Sequence, residues 1–265
     1  MTLSIYASPF LLLYGSVLAL VFGAALGSFL NCAAWRMARG ESFLTGRSRC
    51  PKCGHVLGAM DLVPVLSWLL LRRRCRYCGE RVPARYPVTE IVFALLTLAC
   101  LLRFDLTLLC ARNLVFLCCL FCLSLTDLDD CVIPDGCLLT AALAWAVTAP
   151  FLGLTLGDAA VSLLTGLALG GGMLGTSLVM DRVLKKDTLG GGDIKLLAAV
   201  GLYLGPVGSL FALMLACVLG LVLARALQKG RGQPFPFGPA IAAAAAGMLL
   251  FGDGPVNWYL GLLGM

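Results

Sequence analysis

The chain has 265 residues, of which 60% are hydrophobic and 13% charged, against roughly a quarter charged in an ordinary soluble domain. Apolar runs close to the length of a bilayer crossing, roughly 20 residues, recur from end to end, which excludes a soluble globular domain and makes the chain integral to a membrane. In such a protein the net charge of +6 reads as a topology signal, so membrane lipid is an expected partner and nucleic acid is not.

The first apolar stretch, 9–35, is expected to be a retained first transmembrane helix. No Lys or Arg precedes Arg36, so the basic start of a signal peptide is missing, and the run is too long for its apolar core.

Residues 36–86 form a basic loop that holds eleven of the twenty Lys and Arg residues, among them Arg36, Arg72, Arg73 and Arg74. By the positive-inside rule this loop is expected to be cytoplasmic. It contains Cys50-Pro-Lys-Cys53 and Cys75-Arg-Tyr-Cys78. Two residues between paired cysteines let both thiolates of a turn face one ion, and two such knuckles make the tetrahedral sulfur set of a closed structural zinc site. Gly54 and Gly79 follow the second cysteine of each pair, where a tight turn favours glycine. A redox dithiol is the alternative, but thiols in a cytoplasmic loop stay reduced. His55 is read as an ordinary loop residue. Most of the remaining cysteines, such as Cys110, Cys118, Cys119, Cys122 and Cys217, fall in apolar runs and are read as small hydrophobes.

Further spans are expected at about 87–103, 106–126, 136–154, 158–181, 191–204, 206–226 and 236–252, the sixth and seventh divided at Gly205-Pro206. The sequence therefore predicts an all-α polytopic protein of about eight transmembrane helices with a small cytoplasmic zinc-binding loop domain. Arg182, Lys185 and Lys186, and then Lys229 and Arg231, fall on the cytoplasmic side of that count, and both ends of the chain on the other side. The division is 1–35 for the first helix, 36–86 for the cytoplasmic four-cysteine zinc domain and 87–265 for a transmembrane peptidase domain.

Acidic residues near the hydrocarbon are costly and are functional candidates. The third span ends in Asp127, Asp129 and Asp130, with Asp135 beyond, and the sixth opens on Gly190-Gly191-Gly192-Asp193. Both segments are expected at the cytoplasmic face. Two carboxylates brought together there would share a proton, one deprotonating water while the other polarises a scissile carbonyl. Gly190 and Gly192, with Lys195 beside them, are candidates for close approach of a substrate backbone. Competing readings are solvated loop residues for the aspartates, a helix cap for Asp135, and for Lys195 a topology charge or a partner tuning Asp193. Gly170, Gly171, Gly172 and Gly175 are read as helix packing within the membrane.

These segments together resemble the type IV prepilin peptidases, intramembrane aspartic proteases of the GxGD type. The resemblance includes Gly27-Ser-Phe-Leu-Asn31, the paired cysteine loop, Arg85-Tyr-Pro87 with Glu90, and Pro236-Phe-Gly-Pro239, and it covers nearly the whole chain. It implies Asp127 and Asp193 as the catalytic pair and Cys50, Cys53, Cys75 and Cys78 as metal ligands. It also implies removal of a basic leader from prepilins or pseudopilins, after a glycine, at the cytoplasmic face of a bacterial inner membrane. Serving pili or type II secretion, such proteins usually also N-methylate the new terminus with S-adenosylmethionine. No soluble methyltransferase glycine motif is present, and Glu41, Glu80 and Glu90 are the candidates for amine or cofactor contacts. A transporter with an aspartate proton relay is the principal alternative, and a zinc-ribbon membrane scaffold the second.

Overall fold

The computed structural model describes residues 4–42, 46–185, 189–227 and 235–262. Lys186, Lys229 and Arg231, used above as topology charges, lie outside the described residues. Among those described the chain is helical, and the only extended pairings are two isolated antiparallel bridges, Arg49 with Val56 and Arg74 with Arg81. The chain forms two compact units, Met1–Leu114 and Val115–Met265.

The first unit contains α1 (Pro9–Met37), the short α2 (Leu66–Leu70), α3 (Arg85–Phe104) and the start of α4 (Leu108–Asp130). Ser8 begins α1, its hydroxyl accepting the Leu11 N–H at 3.2 Å, with Pro9 at the first turn where no amide is needed. Gly23 and Gly27, four residues apart on one face of α1, let α3 approach closely. A Cβ at Gly23 would fall 2.7 Å from Thr97 Oγ1, and one at Gly27 would fall 3.0 Å from the Glu90 Cα. This is the small-residue packing that lipid-embedded helices use where no hydrophobic force draws them together. The turn from α3 to α4 is fixed by Asp105, whose Oδ1 accepts the N–H of Ile5 at 2.9 Å and of Leu106 at 2.7 Å.

The second unit holds the rest of α4, α5 (Asp135–Thr148), α6 (Leu156–Leu184), α7 (Gly191–Leu227), α8 (Gly238–Phe251) and α9 (Asp253–Leu262). Helices α6 and α7 meet backbone to backbone, since a Cβ at Gly201 would lie 2.5 Å from the Gly166 Cα. The expected break at Gly205-Pro206 is present, Gly205 leaving helical geometry at φ 66° and ψ −175°. Of the four glycines read as packing residues, only Gly170 packs, against Ala198; Gly171, Gly172 and Gly175 face open space. Tyr203 ties α7 to its neighbours, stacking on Phe116 at 3.8 Å and donating to the Ala141 carbonyl at 2.8 Å.

The protein is a multi-pass membrane protein. Among the described residues, five helices can cross a bilayer by length and composition (α1, α3, α4, α6 and α7), or six if the bent pair α8–α9 is one span. The expected eight requires dividing α7 at Gly205 and counting α5 and α8 separately. Each of these has 14 residues, about 21 Å at ~1.5 Å per residue, which is short of a hydrocarbon core of ~30 Å. Helix α4 also runs past its expected end at 126, through Asp130.

Candidate active site

Helix α4 carries a buried apolar stripe, Leu120, Leu123 and Cys122 among it, down to Thr126 and Asp127. Asp127 is 5% exposed. The helix closes four residues later, where Cys131 adopts a left-handed φ of 53° and its N–H bonds the Asp127 carbonyl at 3.0 Å. Oδ2 of Asp127 accepts the backbone N–H of Gly238, the first residue of α8, at 2.9 Å. A Cβ at 238 would sit 2.8 Å from that same oxygen, so only glycine leaves the carboxylate its place. Phe237, just before it, packs on α7, where a Cβ at Gly220 would fall 2.7 Å from the ring.

Asp193 is the third residue of α7 and is 9% exposed. It belongs to the buried face of its helix with Leu196, Leu197 and Val200, a spacing of three, four and seven residues that marks one side of a helix. Its Oδ1 is buried and has no hydrogen-bond partner among the described residues. Ile133 lies between the two helix starts. A Cβ at Gly192 would be 2.8 Å from the Ile133 Cβ, and one at Gly238 would be 3.3 Å from its Cδ1. The connection after α4 thus wedges between the first turns of α7 and α8 and sets the two carboxyl-bearing segments together.

The remaining acidic candidates go elsewhere. Asp129 and Asp130 are exposed. Asp135 does not cap α5; its Oδ1 receives the Lys195 Nζ at 2.8 Å, with both side chains largely in the open. Lys195 therefore answers Asp135, on the opposite side of α7 from the Asp193 face. Gly190 lies close to Asp193, a Cβ there meeting Oδ2 at 3.3 Å. Gly238 entered the sequence reading only within the Pro236-Phe-Gly-Pro239 segment, with no role of its own, and Ile133 was not singled out. The one signal available was a glycine held between Phe237 and Pro239, whose partner lies 111 positions away.

The cysteine module is built as a repeated turn. The Cys50 N–H bonds the His55 carbonyl and the Gly54 N–H the Cys50 carbonyl; the Cys75 N–H bonds the Glu80 carbonyl and the Gly79 N–H the Cys75 carbonyl, all within 3.0 Å. Gly54 and Gly79 take φ of 70° and 72°, the left-handed region for which glycine was expected. The four sulfurs lie within 4.8 Å of one another, Cys50 and Cys78 at 3.9 Å, where a tetrahedron of ~2.3 Å zinc–sulfur bonds has edges of ~3.8 Å. The Cys53 N–H, against the opposing effect of burial, and then the Lys52 N–H and neighbouring thiols draw the Cys50 thiol down to about 7. The residues fit a metal ion. His55 stays out of the sulfur ring and stacks on Tyr77 at 3.6 Å.

Asp61 braces this module, and nothing in the sequence pattern pointed to it. Its carboxylate accepts the Gly58 N–H at 3.1 Å, Arg76 Nε at 2.8 Å and the Tyr77 hydroxyl at 3.1 Å. Glu90 is buried in α3 and accepts the Val65 N–H at 2.7 Å, which gives it a structural contact at the start of α2. Glu41 and Glu80 are exposed.

Comparison with known proteins places the chain in a family. Residues 21–104 match the bacterial Peptidase A24 N-terminal domain and residues 114–225 the type IV leader peptidase family. A prepilin leader peptidase/N-methyltransferase of Myxococcus xanthus is 38% identical over 83% of this chain, which spans 65% of that relative. Proteins of the same name from Bacillus subtilis and Aeromonas hydrophila are 32% and 31% identical, covering 91% and 92% of this chain and 96% and 93% of their own lengths. No solved structure matches. With both of its units matched and whole-length relatives at this identity, the chain is a membrane peptidase of the type IV leader peptidase family.

Proposed function

We propose that the protein removes the basic leader of a type IV prepilin or pseudopilin, cutting after a glycine at the cytoplasmic face of a bacterial inner membrane, with Asp127 and Asp193 as the catalytic pair. The observation that carries this reading is a pair of buried carboxylates on separate helices whose neighbouring segments both pack on Ile133, one held by the Gly238 N–H and the other with a buried oxygen unpartnered among the described residues. The pair shares one proton. The ionised carboxylate takes a proton from water, whose oxygen bonds to the scissile carbonyl carbon while the protonated carboxyl donates to the carbonyl oxygen; the tetrahedral intermediate then collapses, its C–N bond breaking as the proton taken from water passes to the amine nitrogen and the hydroxyl proton returns to the other carboxylate. The glycines at 190 and 192 admit an extended substrate backbone beside Asp193. The exposed Asp129 and Asp130 offer negative charge to a basic leader.

Orientation rests on the basic loop, which puts the cysteine module in the cytoplasm. There Cys50, Cys53, Cys75 and Cys78 hold a structural zinc ion, four thiolates leaving no open position for water. The names of the relatives support a second activity, N-methylation of the new N-terminus by S-adenosylmethionine. The transporter reading finds no support, since relatives over most of the chain are named peptidases.

Co-expression of wild type, Asp127→Asn and Asp193→Asn with a prepilin, read by mass spectrometry, tests the proposal. Leader loss with wild type alone is the expected result, and a further methyl mass reports the second activity. Cleavage by either folded mutant would remove the dyad.

A further inference from the structure

Two cysteines that neither the carboxylate pair nor the metal cluster uses stand together at the closed end of the α3–α4 hairpin. Cys100 lies four residues before the end of α3 and Cys110 in the first turn of α4, their sulfurs 3.9 Å apart. Each Sγ also lies 3.7 Å from the other residue's carbonyl oxygen, so the two backbones run side by side at this level. The intervening turn is braced, which holds the pair in register. Asp105 accepts two amides there, and the Thr107 hydroxyl bonds the Phe104 carbonyl at 2.7 Å and the Cys110 N–H at 3.2 Å.

Their compartment follows from α3. It is one apolar helix long enough to cross the membrane, so its ends face opposite sides. Its first residue, Arg85, closes the basic loop, and its other end carries Cys100 beside Cys110 of α4. With the basic loop in the cytoplasm, Cys100 and Cys110 face the exterior, where disulfides form and persist, while the four cysteines of the metal module remain where thiols stay reduced.

We propose that Cys100 and Cys110 form a disulfide in the mature protein, closing the outer end of the α3–α4 hairpin. This rests on the orientation given under the proposed function. Cys110 is half-buried and Cys100 is wholly buried, so Cys110 reacts first. Its thiolate attacks the disulfide of a dithiol–disulfide oxidant, giving a mixed disulfide and releasing one thiol of the oxidant. Cys100 then attacks the Cys110 sulfur. The Sγ–Sγ bond forms, the mixed disulfide breaks, and the two protons and two electrons of the cysteines leave with the reduced oxidant.

The test uses full-length protein from membranes, with free thiols trapped by a maleimide under denaturing conditions before digestion with trypsin. Arg103 and Arg112 place the two cysteines on separate peptides. The expected result is a linked pair of peptides that resists alkylation until reductant is added, with Cys50, Cys53, Cys75 and Cys78 alkylated throughout. In Cys100→Ser, Cys110 becomes fully alkylated. Separately, Leu106→Cys in a Cys100→Ser, Cys110→Ser background is treated with a membrane-impermeant maleimide on intact spheroplasts; Leu106 is 54% exposed. Labelling from outside with both native cysteines alkylated in wild type overturns the disulfide alone. Labelling only after permeabilisation overturns the orientation, and the disulfide with it.

Discussion

The backbone N–H of Gly238 donates to Oδ2 of Asp127 at 2.9 Å, across 111 positions of chain. A Cβ at 238 would lie 2.8 Å from that oxygen. The obstructing atom is the end of a side chain, so Gly238→Ala is accommodated by turning the carboxylate away while the helices stay in place. Leader removal is expected to fall on the order of 10²-fold, the effect of a misplaced catalytic group. Thermal stability in detergent should change by less than ~1 kcal/mol. A variant that loses folded protein and activity in parallel would make Gly238 a scaffold residue only.

The two carboxylates act as one unit if they share a proton. Asp127→Asn and Asp193→Asn should each lower the cleavage rate by roughly 10²–10⁴-fold or more, and the double variant should be no slower than the worse single one, because either change already removes the pair. Single-turnover cleavage of a detergent-solubilised prepilin measures this. Losses that multiply would mean that the two groups contribute independently.

Much of this site was legible because its chemistry conflicts with its surroundings. Asp127 and Asp193 stand out as charges at the ends of apolar helices, and the cysteine knuckles announce themselves by spacing and by Gly54 and Gly79, whose positive φ is the reason glycine is there. The break at Gly205 was legible for the same reason. Contacts between distant segments were not. Nothing local to Gly238 tells of Asp127, and nothing local to Asp61 tells of Arg76 and Tyr77. The number of spans was less legible, because apolarity says that a segment avoids water without saying that it is long enough to cross; α5 is apolar and has only 14 residues. Gly171, Gly172 and Gly175 show the same limit, since a glycine run marks where helices can approach and only Gly170 meets a neighbour.

Lys195 and Asp135 join the first turns of α7 and α5 with both side chains mostly exposed. Such a pair is worth ~0–1 kcal/mol. Lys195→Ala should therefore cost less than ~1 kcal/mol in thermal unfolding, and exchanging the charges, Asp135→Lys with Lys195→Asp, should recover what either single reversal loses. Failure of the exchange to recover stability would assign Lys195 a role other than this bond.

Four thiols within 4.8 Å of one another repel when ionised together, so the four ionise fully only around a cation. Cys50→Ser with Cys75→Ser should abolish stoichiometric metal by elemental analysis. Chelation of the wild type should make residues 46–84 protease-sensitive while the transmembrane helices remain protected, because metal binding there is also folding energy. Full metal content in the double variant would remove the site.

Asp61 adds a pH-dependent brace to that module. Burial pushes its carboxyl up, but the Gly58 N–H, the Tyr77 hydroxyl and Arg76 outweigh it and hold the group below the ordinary carboxylate range. A folded value depressed below the unfolded one, ~3.9, means stabilisation that is complete above the unfolded value and lost as pH falls through the folded value. Asp61→Asn should therefore destabilise the module by a constant amount from pH 8 down to about pH 5, the gap to wild type narrowing only below about pH 4. Proteolytic sensitivity of the loop in zinc-saturated protein, followed against pH for both forms, measures the gap. Narrowing already between pH 7 and pH 6 would show that a group other than the Asp61 carboxyl governs it, because a carboxylate held down by an arginine and an amide has no proton to take up in that range.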